Sequence, residues 1–125
     1  MKKENGIVET YYDNGQIRTR VTYKDDKLDG LCETWYSNGQ LESRANYKND
    51  KLNGLCEFWG GDGQLWTREN YENNKRDGVV ETRYDNGQLK SRETYKDGNL
   101  DGLRETWYLT GQLRERETYK DGEKQ

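Results

Sequence analysis

Glutamate and arginine recur along this chain with a fixed step. Glu9, Glu33, Glu57, Glu81 and Glu105 stand 24 residues apart, and Arg20, Arg44, Arg68, Arg92 and Arg116 keep the same step. Regularly placed carboxylates could serve acid–base catalysis, which needs a pKa lifted toward neutrality. Each glutamate here has an arginine partner in the same copy, and a nearby guanidinium favours the ionised carboxylate instead. The 125 residues include no histidine, so Ser–His, Cys–His and zinc–histidine sites are excluded. The two cysteines, Cys32 and Cys56, do not supply four metal ligands. GGDG at Gly60 to Gly63 lacks the Lys-Ser/Thr and helix of a phosphate loop. The Asp-rich turns lack calcium-loop spacing. Neither catalysis, a metal nor a cofactor is expected.

The aromatic residues suggest binding. In the third copy Phe58 replaces the threonine of Thr34, Gly60 replaces the tyrosine of Tyr36, and Trp66 stands where other copies have Arg18, Glu42, Lys90 and Arg114. If Asp62-Gly63 is a two-residue turn, Trp66 faces Trp59. Trp35 shares that face one copy earlier, Arg83 replaces tryptophan one copy later, and Trp107 follows. A half-exposed tryptophan pair flanked by arginine has the composition of an interface hot spot. Trp35, Trp59, Trp66, Arg83, Trp107 and Phe58 are therefore the expected partner-binding residues. The plainer reading of Trp59 and Trp66 is a cross-strand pair that only stabilises a sheet.

The elements that position these residues follow from the same period. Glycines recur at Gly6, Gly30, Gly54, Gly78 and Gly102, and again at Gly15, Gly39, Gly63, Gly87 and Gly111. Five uninterrupted copies mean a repeat array. With 29% hydrophobic and 36% charged residues the chain cannot build an ordinary globular core, but a stack needs only a thin seam between neighbours. Runs such as ETWY favour strands. Asn14-Gly15, Asn38-Gly39 and Asn86-Gly87 predict two-residue type I′ hairpin turns. Asp97-Gly98 and Asp121-Gly122 predict a second set, of which Asp25-Asp26, Asn49-Asp50 and Asn73-Asn74 are weaker versions. The expected fold is all-β: one domain over 1–125, built from five 24-residue hairpins starting near 6, 30, 54, 78 and 102. They form an elongated, twisted antiparallel meander of about ten strands.

Two-residue turns fix a register. Glu33 then faces Arg44, Glu57 faces Arg68 and Glu81 faces Arg92, a structural ladder of opposite charges. Trp35 faces Glu42, Tyr36 faces Leu41, and Tyr47 lies opposite both Leu52 and Gly30. One face collects Thr34, Tyr36, Leu41, Tyr47, Leu52 and Cys32; the other carries Leu31, Trp35 and the ladder. Cys32 and Cys56 fall two strands apart, about 9–10 Å at strand spacing, too far for a disulfide. Arg104 and Glu115 place charges on the tyrosine face of the fifth copy, as expected where an array ends. Net charge is −3 with the signs interleaved, which argues against nucleic acid and an anionic membrane. No stretch reads as a signal peptide or membrane span, so a cytoplasmic location is expected.

The glycine, the Trp/Tyr pair, Asn-Gly, then Tyr-Lys-Asp-Gly and another glycine resemble the MORN repeat. The segment Glu33 to Gly54, ETWYSNGQLESRANYKNDKLNG, is similar to the bacterial MORN-variant repeat. The resemblance implies hairpin arrays and binding rather than catalysis: scaffolding, self-association and, in eukaryotic members, lipid contact. Many bacterial members are labelled antitoxins of the YwqK type. The implied function is a protein-binding module, an antitoxin-type or phage-type inhibitor that sequesters a toxin, nuclease or effector through a curved sheet face. The alternative is a scaffold for membrane attachment or self-assembly, including a homodimer through sheet edges.

Overall fold

The computed structural model describes residues 5–125, which form one antiparallel sheet of twelve strands with no helix. The strands are β1 (Gly6–Tyr11), β2 (Ile17–Lys24), β3 (Lys27–Trp35), β4 (Leu41–Lys48), β5 (Lys51–Trp59) and β6 (Leu65–Glu72). They continue as β7 (Lys75–Arg76), β8 (Gly78–Arg83), β9 (Leu89–Lys96), β10 (Asn99–Trp107), β11 (Leu113–Lys120) and β12 (Glu123–Lys124). Sequential strands pair, except that β6 pairs with both β7 and β8. The last two short strands of this kind, β7 and β12, exceed the ten expected. β7 and β8 are parted by Asp77 alone, whose amide donates to the Asn70 carbonyl at 2.9 Å. With no second layer, the buried apolar side chains among the described residues are only Cys56 and Val80.

The two sets of turns are not alike. Asp25 and Asp26, Asn49 and Asp50, and Asn73 and Asn74 all have positive φ, as do Asp97-Gly98 and Asp121-Gly122. These are the type I′ turns, and the weaker signals were among them. At Asn14-Gly15 and its counterparts only the glycine has positive φ. There Gly39 N–H donates to Tyr36 O, and Tyr36 N–H donates to Gln40 O. The loop has three residues, a type I turn closed by a left-handed glycine. Asn38 prefers it because its carboxamide oxygen accepts from Gln40 N–H at 2.9 Å.

The extra loop residue is recovered by a bulge. Thr34 pairs with Ser43 as expected, but Trp35 pairs with Leu41 rather than Glu42, and Trp59 pairs with Leu65 rather than Trp66. Leu41 consequently joins Trp35, not Tyr36. A second irregularity sits at each strand glycine. Tyr47 pairs with Leu52 and Ala45 with Cys56, so Asn53, Gly54 and Leu55 lie opposite Asn46 alone. Gly54 has φ of 115°, and Asn46 donates its side-chain amide to the Leu55 carbonyl at 3.1 Å. Thr22, Asn70 and Thr94 satisfy the carbonyls of Leu31, Val79 and Leu103 in the same way. A carbonyl released from the ladder by a bulge is satisfied by such a donor.

Because this second irregularity shifts the register by two, side-chain alternation survives from hairpin to hairpin. The ladder therefore runs beyond each hairpin. Glu9, Arg20, Glu33, Arg44, Glu57, Arg68, Glu81, Arg92, Glu105 and Arg116 are successive cross-strand neighbours over the whole sheet. Glu33, Glu57 and Glu105 are 8%, 5% and 6% exposed, each carboxylate lying under arginines. Arg68 holds Glu57 at 3.0 Å, and Arg116 holds Glu105 at 2.8 Å.

Cys32 and Cys56 each pair with Ala45 from opposite sides, both with free thiols. Arg104 lies inside the sheet between β9 and β11. It donates to Glu93 at 3.1 Å and reaches Glu117 at 3.5 Å, so its charge is neutralised within the face rather than guarding an edge.

A candidate binding face on the third copy

Behind the ladder, a row of small hydroxyls crosses the sheet. Thr10, Thr19, Thr34 and Ser43 are successive neighbours, and Thr67, Thr82, Ser91 and Thr106 continue the row. Thr34 and Ser43 share a hydrogen bond of 2.6 Å, and Thr34 also donates to Glu42 at 3.2 Å. Both bulge residues, Glu42 and Ser43, thus reach Thr34 and lie on the tyrosine face. Phe58 interrupts the row, standing between Ser43 and Thr67. Trp66 holds the position of Glu42 one copy on. Its indole lies 3.0 Å from where a Cβ on Gly60 would be, filling the space of the missing tyrosine.

The bulge thereby separates the tryptophans. Trp59 lies on the ladder face, its ring 5.6 Å under the Arg44 guanidinium, while Trp66 lies on the tyrosine face with Phe58. The expected Trp59–Trp66 pair does not form. Trp35 and Trp107 are likewise covered by Arg20 and Arg92, at 5.3 and 5.8 Å. Arg83, at the tryptophan position of copy four, donates to the Gly87 carbonyl at 3.0 Å. The six candidates divide into four on the ladder face, Trp35, Trp59, Arg83 and Trp107, and two on the other. Phe58 and Trp66 are 40% and 47% exposed. Only a register that includes the bulge brings these two together.

Copy three also lacks two ties that join other neighbours. Tyr12, Tyr36 and Tyr84 donate their hydroxyls to the carbonyls of Trp35, Trp59 and Trp107. Asn14, Asn38 and Asn86 donate to the carbonyls of Ser37, Gly61 and Leu109. Gly60 and Asp62 occupy the corresponding positions in copy three and carry neither donor.

Residues the sequence reading passed over lie further along this face. Arg76, at the position of Leu28 and Leu52, binds Glu69 at 2.9 Å and covers the Tyr95 ring at 5.3 Å. Tyr71 donates to the same Glu69 at 3.0 Å. Lys124, Glu117 and Tyr119 repeat the arrangement. The glutamate for valine or alanine at this position was the visible signal. The tyrosine face is apolar over the early copies and ionic over the later ones, with Phe58 and Trp66 at the change.

A sequence model described as the MORN repeat variant matches residues 4–25, 28–49, 76–97 and 100–121. The chain belongs to the MORN repeat variant family. No curated protein matches the chain. As a MORN-variant array it is a repeat module of a kind that commonly binds proteins or membranes. Residues 52–73 lie outside the matched segments, and they hold Phe58, Gly60 and Trp66. The copy whose sequence drifts from the MORN pattern is thus the copy that exposes Phe58 and Trp66, while the matched end copies expose Tyr11 and Tyr108. No helix among the described residues is long and apolar enough to cross a membrane.

Proposed function

We propose that this MORN-variant array is a non-enzymatic protein-binding module whose contact is centred on the tyrosine face of copy three. The observation that carries this is the exposure of Phe58 and Trp66 side by side on one face. Exposed aromatics replacing hydroxyl and charge are what hot spots are built from, since a large rigid ring buries much area at small entropic cost. The ladder-face tryptophans are weaker candidates, because arginines of the same chain already cover them. A toxin, nuclease or effector as the partner, with the chain as its inhibitor, rests on the family resemblance alone.

The test is site-specific photocrosslinking in the source cell, with the crosslinker at position 66 and, as control, at position 114. A discrete protein adduct at 66 that is absent at 114 is expected. Reconstituted with the identified protein, the Phe58→Thr, Trp66→Arg double variant should bind at least about tenfold more weakly, a modest loss for two anchors. Equal affinity, or adducts formed only with lipid, would dismiss the reading.

A further inference from the structure

The tyrosines that end the first strand of each copy are not all in the same state. Arg18 lies over the Tyr12 ring at 5.7 Å, Lys90 over Tyr84 at 5.6 Å and Arg114 over Tyr108 at 6.0 Å. These are cation–π contacts across the bulge, between a strand-end tyrosine and the first bulge residue. Tyr36 has no cation over its ring among the described residues, because the bulge residue of its copy is Glu42. The seat is present and its occupant has been replaced by a carboxylate.

The surroundings are those a cation would need. Glu42 makes no ion pair among the described residues, its one hydrogen bond coming from Thr34. Asp62, also without an ion pair there, accepts from Gln64 N–H at 3.0 Å through Oδ1, the oxygen 3.1 Å from where a Cβ on Gly60 would be, beside the Trp66 ring. Both carboxylates are close enough to Tyr36 to act on its phenol, which burial first, then Glu42 and Asp62, raise above the ordinary range. The Tyr36 hydroxyl is spent on the Trp59 carbonyl, so the ring is held in place and offers its face. Phe58, paired with Ser43 beside Glu42, gives an apolar wall.

From this geometry we infer that Tyr36, Glu42 and Asp62 form an open cation seat that takes an arginine or lysine side chain of the partner protein, against Phe58 and Trp66. The inference rests on the binding reading above and adds the chemistry of the partner. Three copies of the same architecture hold their own guanidinium or ammonium in the equivalent place, so the backbone geometry accommodates that group over a strand-end tyrosine. Two carboxylates that make no ion pair among the described residues supply the complementary charge, and the aromatic walls favour a planar guanidinium.

The test uses the full chain and two short glycine–serine peptides, one with a single arginine and one with glutamine in its place, followed by amide and indole NMR shifts. The arginine peptide should shift Glu42, Phe58 and the Trp66 indole, and the glutamine peptide should not. Glu42→Arg fills the seat from within, as Arg18 does, and should weaken the arginine peptide about tenfold, a difference of about 1.4 kcal/mol. Lys90→Glu empties the seat on Tyr84 and should create a second set of shifts there. Shifts spread evenly over the acidic surface, or unchanged by Glu42→Arg, would overturn the seat. A crosslinked partner bound equally by wild type and Glu42→Arg, but lost with Phe58→Thr, Trp66→Arg, would end the cation seat while leaving the binding face intact.

Discussion

The Tyr36 hydroxyl donates to the Trp59 carbonyl, 23 residues on, at 2.7 Å, tying one copy to the next across an intervening strand. The same tie recurs at Tyr84 and Trp107 and stops at copy three, where Gly60 has no side chain to reach Arg83. In a one-dimensional array stability is the sum of such neighbour terms. The junction of copies three and four therefore lacks two ties that the others have, although Arg76 still covers Tyr95 across it, and Trp66 on β6 lies beside it.

Restoring the tie should strengthen that junction. Gly60 does not have positive φ, so a tyrosine is conformationally allowed there, but its Cβ would meet the Trp66 ring. The double variant Gly60→Tyr, Trp66→Arg recreates the pattern of Tyr12 and Arg18. It should gain about 1 kcal/mol from the hydrogen bond and raise Tm by about 3–5 °C. Gly60→Tyr alone should gain less or lose. Calorimetry on the three proteins checks the order. The same double variant removes the proposed anchor, so stability and binding should move in opposite directions.

The turns give a contrast of sign. Asn49 has φ of 49°, where an L-residue with a Cβ is strained, and it belongs to a type I′ turn. Asn49→Gly should stabilise by about 0.5–1 kcal/mol through relief of that strain. Asn38 lies in the three-residue loop without positive φ, where it bonds Gln40 N–H and the Gly61 carbonyl. Asn38→Gly should cost about 1–2 kcal/mol for two lost hydrogen bonds. Thermal melts of the two variants should fall on opposite sides of wild type.

That contrast also marks what the residues alone disclosed. The period, the two-strand copy, the Glu33–Arg44 pairing and the opposition of Tyr47 to Gly30 and Leu52 were all legible, because each follows from spacing and alternation. The bulge was not. Asn-Gly fits both a two-residue type I′ turn and a three-residue loop, and the difference of one residue moves Trp66 to the other face. What could have decided it was the ladder itself. A Glu33–Arg44 pair is compatible with three loop residues only if one residue between Leu41 and Ser43 is extra.

The ladder should respond to position. Glu57 is buried under Arg44 and Arg68, and Glu57→Gln leaves both guanidiniums short of a charge partner. A loss of about 1–3 kcal/mol is expected, in the range of a charged hydrogen bond with part of a buried pair. Glu9 faces a single arginine and is more exposed, so Glu9→Gln should cost about 0–1 kcal/mol. Urea unfolding at low salt measures both. Equal effects would mean that the row acts as isolated surface pairs.

The two thiols should differ in how pH reaches them. Burial first, then Glu69, Glu57 and Cys32, push the Cys56 thiol up to about 11 from 9.0. Cys32 is raised by burial and Glu33 and is less enclosed. A disulfide reagent at pH 8 should therefore modify Cys32 first, and Cys56 only as the sheet opens. A thiol whose folded value is raised keeps its proton in the native state while the unfolded chain gives it up. Its contribution to stability is whole below pH 9 and is lost as pH rises from 9 to about 11. Tyr47 and Tyr71, also raised by burial, act in the same direction. Cys56→Val, which copies Val8 and Val80, should remove the thiol's share of that alkaline loss and leave the tyrosines' share. Identical pH profiles for the variant and wild type between 8.5 and 11 would mean that Cys56 is as accessible to water folded as unfolded, contrary to its 4% exposure.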